Sequence, residues 1–214
     1  MLQTKICGIV HPNDAIMASE SGANAIGLVF YAPSKRNLAD YGLAREIAMA
    51  AQPFTQVVAL FVNETPANIE QILTQVPINL IQFHGGEDNT FCRQFDRPFI
   101  KAVRMKPDVN IHQEAEKFTH AKALLLDAYQ KGVPGGTGAT FSWDRIPTHC
   151  DKPLILAGGL TPQNITKAVS QTPVAAIDVS GGVELDGQGM RKDPNKVKRF
   201  ITNAHQAYNL RQHA

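Results

Sequence analysis

Residues 153–160 read PLILAGGL and residues 175–184 read AAIDVSGGVE. Each is a short apolar run that stops at a pair of glycines and turns toward a helix-like segment. Glycine lets the backbone approach an oxyanion and tolerates positive φ, and amides at a following helix start add unpaired donors and a favourable dipole. Two such turns on consecutive strands grip one phosphate from both sides, as the last two strand-to-helix loops of (β/α)8 barrels do. Gly158, Gly159, Ser180, Gly181 and Gly182 are the expected phosphate cradle.

Upstream, the same kind of run recurs as TKIC (4–7), AIGLVF (25–30), QVVALFV (56–62), NLIQFH (79–84), PFIKAV (98–103) and ALLLDA (123–128). Eight apolar runs rich in Val, Ile, Leu and Ala suit parallel strands buried on both faces. Helix-start chemistry lies between them, at Thr65-Pro66, Thr161-Pro162 and Asp193-Pro194. Strand and helix therefore alternate with a spacing of roughly 27 residues, near that of a βαβ unit. The expected fold is α/β, one (β/α)8 TIM barrel over residues 1–214, with no Ser/Gly-rich linker or change of charge to mark a second domain. A doubly wound sheet is the alternative. Its GxGxxG signature after the first strand is absent, and the glycines are spread over several loops, which a barrel gathering them at one mouth explains better.

Composition narrows the function. Of 214 residues 43% are hydrophobic and 19% charged, which excludes disorder, and no apolar run approaches the ~20 residues needed to span a bilayer. The first residues enter a strand at once and do not read as a signal peptide. A net charge of +2 is too small for a nucleic-acid surface, and the basic cluster from Arg191 to Arg199 is read as a solvated helix face behind an Asp193 cap. Three widely spaced cysteines without a CxxC pattern suit a reducing cytoplasm better than a disulfide framework or a zinc site. Phe54 and Phe118 are read as exposed, and the chain as a monomer or homodimer.

Alternation along a strand puts Lys5 with Cys7, Gln82 with His84, Leu125 with Asp127, and Asp178 with Ser180 on common faces. In each pair the second residue ends its strand. A thiol, an imidazole, a carboxylate and a hydroxyl are thereby expected at one rim. Lys5 and Asp178 lie one step deeper on strands that become neighbours when a barrel closes, and are expected to form a buried ion pair that biases Cys7. Cys7 also has a plain structural reading, as a buried small hydrophobe. Likewise His84 fits a histidine that only bonds its own loop, and Asp127 a loop cap. Ser34, Lys35 and Arg36 suit an anionic group, with Arg able to hold a carboxylate bidentately, and also read as a solvated basic loop.

Taken together, KICG at Lys5–Gly8, GLVF, SKR, FVN, QFHG, LLLDA, GGTG with a following FSW, AGGL, DVSGGVE and KD at Lys192–Asp193 resemble the phosphoribosylanthranilate isomerase family over nearly the whole chain. The resemblance implies an Amadori rearrangement of a phosphosugar-anthranilate in tryptophan biosynthesis, with no metal or organic cofactor. It implies Cys7 as general base, Asp127 as general acid and Arg36 as the residue that meets the anthranilate carboxylate. His84 and the GGTG loop, with Gly135 and Gly136, are expected to shape the sugar site. A base cysteine is expected to be partly thiolate, and an acid aspartate protonated near neutrality. Gly181 stands where the family has a second serine, and the Glu184–Lys192 connection differs slightly in spacing. A related aminoaldose isomerase that uses an aspartate at the end of strand one is disfavoured by Cys7. A non-catalytic phosphate-binding barrel has no need of Cys7 and Asp127.

Overall fold

The eight apolar runs all become strands, because each is short, rich in branched residues and covered on both sides. A computed structural model describes residues 1–128, 140–188 and 190–212. The strands are β1 (Gln3–Cys7), β2 (Ala25–Phe30), β3 (Gln56–Phe61), β4 (Leu80–Phe83), β5 (Phe99–Arg104), β6 (Leu124–Asp127), β7 (Leu154–Leu156) and β8 (Ala176–Val179). They pair in parallel in sequence order, and β8 returns to β1 to close the barrel. The fold is the (β/α)8 barrel expected from the runs.

Helices α1 (Pro12–Glu20), α2 (Tyr41–Ala50), α3 (Pro66–Gln75), α4 (Asn89–Cys92), α5 (Ile111–Lys117), α6 (Ile165–Gln171) and α7 (Pro194–Gln212) lie between and after the strands. Among the described residues between β6 and β7 there is only a 3-10 turn, Trp143–Arg145. Thr65 caps α3 by accepting from the Asn68 amide, with Pro66 behind it, as its sequence predicts. Asp193 does the same for α7, accepting from the amides of Asn195 and Lys196. Thr161 instead caps a turn, accepting from the amides of Gln163 and Asn164, and α6 begins at Ile165.

The main core lies between strands and helices, where Ile6, Ile26, Phe61, Phe83, Leu124, Leu156 and Ile177 meet Ala15, Ile47, Ile69, Ile165 and Phe200. A smaller, separate cluster is formed by Ile100, Ala102, Ala123, Leu125 and Ala157. Near the mouth Cys7 packs with Val29 and Leu60. Each well-buried aliphatic side chain contributes about 1.5–3 kcal/mol, so the layers hold the strand ends at fixed spacing. Phe118 is buried, contrary to its sequence reading, because it packs in the main core with its ring beside the Lys101 ammonium. Phe54 is 99% exposed, as expected.

Candidate active site

A cavity of about 620 Å³ opens at the C-terminal ends of the strands. Cys7, Arg36, His84, Asp127, Gly158, Gly159, Ser180, Gly181 and Gly182 all line it, so the four strand-end groups do share one rim. Gly135 and Gly136 lie outside the described residues.

Cys7 ends β1 almost fully buried. Beneath it Lys5 Nζ donates to Asp178 Oδ1 at 2.8 Å, the ion pair expected from β1 and β8, which stand in register at these two residues. Burial alone would lower the Lys5 ammonium, but the charges of Asp178 and Cys7 outweigh it and raise its pKa. For Cys7 burial is the largest effect and pushes the thiol up. Lys5 pulls it back through charge and a hydrogen bond, Asp178 pushes the other way, and Lys192 adds a smaller pull. The net direction is upward, so without a ligand the thiol keeps its proton more firmly than a partly ionised base would.

Gly27, in register with Cys7 on β2, makes this arrangement possible. A Cβ there would lie 2.7 Å from Cys7 Sγ and 3.0 Å from Lys5 Cε. The residue escaped the sequence reading because a glycine inside an apolar run carries no chemistry of its own.

Asp127 ends β6 with its side chain 8% exposed. His84 Nε2 is 3.1 Å from Asp127 Oδ2, and His84 Nδ1 is 3.0 Å from Gln82 Nε2. The histidine therefore serves Asp127 and not its own loop. That loop is held separately. Glu87 accepts from the amides of Asn63 and Gly85, Asn63 accepts from the Gly86 amide, and buried Lys101 donates to the Gly85 carbonyl and to Glu87. Asn63 takes a left-handed φ of 52° to do this.

On the opposite wall the two glycine turns interlock. Gly158 and Gly159 have φ of 80° and 62°, a region that favours glycine. A Cβ on Gly158 would strike the Ala128 backbone, and one on Gly182 would strike the Leu160 carbonyl. Among the described residues the amides of Gly159, Gly181 and Gly182 have no backbone acceptor. The turns thus line the cavity with amides that no backbone carbonyl takes up, as an oxyanion cradle requires.

Arg36 reaches the same wall from the loop after β2. Its Nε and Nη2 donate to Glu184 Oε1 and Oε2 at 2.6 and 2.9 Å, a bidentate pair that fixes the guanidinium plane. The stem passes where a Cβ on Gly8 would be, and Gly8 has φ of 71°. Lys192 Nζ also donates to Glu184 Oε1, at 2.9 Å, and to the Ser180 carbonyl. Burial works against the Glu184 carboxylate, yet Arg36 and Lys192 hold its pKa below the ordinary value. Lys192 is 2% exposed, which corrects the reading of this residue as part of a solvated face, whereas Lys198 and Arg199 are exposed as read. Burial lowers its pKa and Glu184 only partly restores it. Neighbouring Arg191 is likewise paired, to Asp14 at 2.9 Å.

With this geometry in view, the comparisons with known proteins are specific. Residues 4–203 match the family profile described as N-(5'phosphoribosyl)anthranilate (PRA) isomerase. An N-(5'-phosphoribosyl)anthranilate isomerase of Neisseria gonorrhoeae is 53% identical over 203 residues, covering 95% of this chain and 96% of the relative. The crystal structure of phosphoribosyl anthranilate isomerase from Thermotoga maritima is 35% identical with a TM-score of 0.79, covering 96% of this chain and all of that one. Another phosphoribosyl anthranilate isomerase, 34% identical with a TM-score of 0.76 over 96% of this chain and all of that one, was solved in complex with reduced 1-(o-carboxyphenylamino)-1-deoxyribulose 5-phosphate.

Proposed function

The chain belongs to the N-(5'-phosphoribosyl)anthranilate isomerase family, and from that premise we propose how its own residues carry out the Amadori rearrangement. Asp127 gives a proton to the furanose ring oxygen as the C1–O bond breaks and the anilino nitrogen forms a Schiff base with C1. Cys7 takes the proton from C2, and the resulting enolamine becomes the aminoketose. Acid and base are needed together because the leaving ring oxygen is a poor leaving group without a proton, and the C2 hydrogen becomes acidic only once the Schiff base exists.

The phosphate rests on the turns at Gly158–Gly159 and Ser180–Gly182, with their amides as donors. At the far end Arg36 meets the anthranilate carboxylate. Glu184 occupies two of its five N–H donors and leaves three. His84 acts through Asp127. The substrate is the partner this site calls for, and the chain works in the cytoplasm as a monomer or homodimer. Among the described residues no helix is long and apolar enough to cross a membrane.

The observation that carries the assignment is the convergence of Cys7, Asp127, Arg36 and both glycine turns on one cavity. A fluorimetric assay of the purified protein without added metal tests it. Loss of phosphoribosylanthranilate fluorescence in proportion to enzyme is the expected result, and lack of conversion overturns the proposal.

A further inference from the structure

Gln82 is fully buried, yet its side chain lines the cavity and its Oε1 has no partner. A buried polar side chain beside an acid and an imidazole calls for a reason. Its Nε2 faces His84 Nδ1, and His84 Nε2 faces Asp127 Oδ2. An amide N–H can only donate, so Nδ1 accepts and the imidazole proton sits on Nε2, from where it donates to Asp127. Turning the amide over would leave both buried N–H groups of Gln82 without an acceptor in place of one N–H and the oxygen, and orphaned buried donors are rarer than orphaned acceptors.

We infer that Gln82 is a positioning residue that fixes the tautomer of His84 and so confines the acidic proton of Asp127 to Oδ1. Oδ2 already accepts from His84, so a proton on Asp127 resides on its other oxygen. Oδ1 is the oxygen beside Gly158, within 3.0 Å of where a Cβ on that residue would be, on the cavity wall. The proton is thereby aimed at the substrate. The opposite tautomer would let His84 accept from Oδ2–H and draw the proton away. An imidazolium would do worse, because it would hold Asp127 as a carboxylate in an ion pair. The charged groups around the ring are Asp127 on β6, Arg104 at the end of β5, whose Nη2 reaches the His84 carbonyl at 3.5 Å, and the Lys101–Glu87 pair holding the following loop. None of them reaches Nδ1 in place of Gln82. The catalytic consequence rests on Asp127 being the acid, as proposed above; the tautomer itself does not.

Two experiments test this. In the unaltered protein, 15N spectra of the histidine ring nitrogens, with His84→Asn used only to assign the signal, should show a neutral His84 protonated on Nε2 at neutral pH. A proton on Nδ1, or on both nitrogens, overturns the inference. Kinetics then separate direction from bulk. Gln82→Glu is nearly isosteric but turns a donor into an acceptor, so His84 becomes doubly protonated and kcat falls by about 100-fold or more, the scale of general acid catalysis. Gln82→Met removes the donor without imposing the reverse, and kcat falls by about tenfold while KM stays within about threefold. Gln82→Met hurting kcat more than Gln82→Glu, or Gln82→Glu leaving His84 neutral, contradicts the assignment, with kcat taken per folded molecule. Failure of the unaltered protein to turn over substrate removes the acid role of Asp127 and leaves the spectrum to decide the tautomer.

Discussion

Replacing Lys5 by Met tests the electrostatics beneath the proposed base. Lys5 Nζ lies 2.8 Å from Asp178 Oδ1, with both side chains about one-tenth exposed or less. Removing the cation strands a buried carboxylate, and breaking such a pair costs about 3–5 kcal/mol. It also removes the strongest influence that opposes burial at Cys7, while Asp178 remains to push the thiol further up. Every unit of that rise lowers the thiolate population tenfold at a given pH, equivalent to about 1.4 kcal/mol. The variant should therefore lose at least about tenfold in kcat with little change in KM. Peptide-resolved iodoacetamide labelling against pH reads the cause, because it separates Cys7 from buried Cys92 and half-buried Cys150. The sign is definite. Cys7 labelling should accelerate with pH in the unaltered protein, and its midpoint should move upward in Lys5→Met. The double variant Lys5→Met/Asp178→Asn recovers stability by removing the stranded charge. Its labelling midpoint stays above that of the unaltered protein, since Lys5 lowers the thiol more than Asp178 raises it. A midpoint unchanged or lowered in the single variant would refute the reasoning.

Gly27→Ala puts a methyl 2.7 Å from Cys7 Sγ, where both neighbours are buried; we expect about 1–3 kcal/mol lost in a denaturant melt, and a fall in kcat as the thiol is displaced. Glu184→Gln should raise KM by freeing the Arg36 guanidinium. The same variant should flatten the acid limb of stability: a depressed carboxylate stabilises the fold above its ordinary pKa of 4.5, and that contribution is lost as pH falls through the folded value. Melts from pH 7 down to pH 3 compare the two proteins. Gly159→Val, at φ 62°, should raise KM by blocking approach to the phosphate, and an unchanged KM would move the cradle elsewhere.

The strand runs were legible because a doubly covered parallel sheet leaves continuous apolar segments, and each of the eight became a strand. The rim was legible through alternation, which brought Cys7, His84, Asp127 and Ser180 to one mouth and Lys5 against Asp178. Pairings between distant loops were not. Lys192 sits in a basic stretch that looks solvated until the last loop folds back and lays Glu184 against both it and Arg36. Gly27 and Gly8 matter for what their missing side chains admit, Cys7 with Lys5 in one case and the Arg36 stem in the other. Phe118 reads as exposed because its burial comes from packing in the main core, a contact that no local pattern announces.

The central claim is that Cys7 and Asp127 move the protons. Steady-state kinetics of Cys7→Ala and Asp127→Asn on phosphoribosylanthranilate test it most directly. Each should lower kcat by about 10²–10⁴ while KM stays within about threefold, since neither side chain is asked to hold the substrate. Near-parental turnover in either variant would contradict the account.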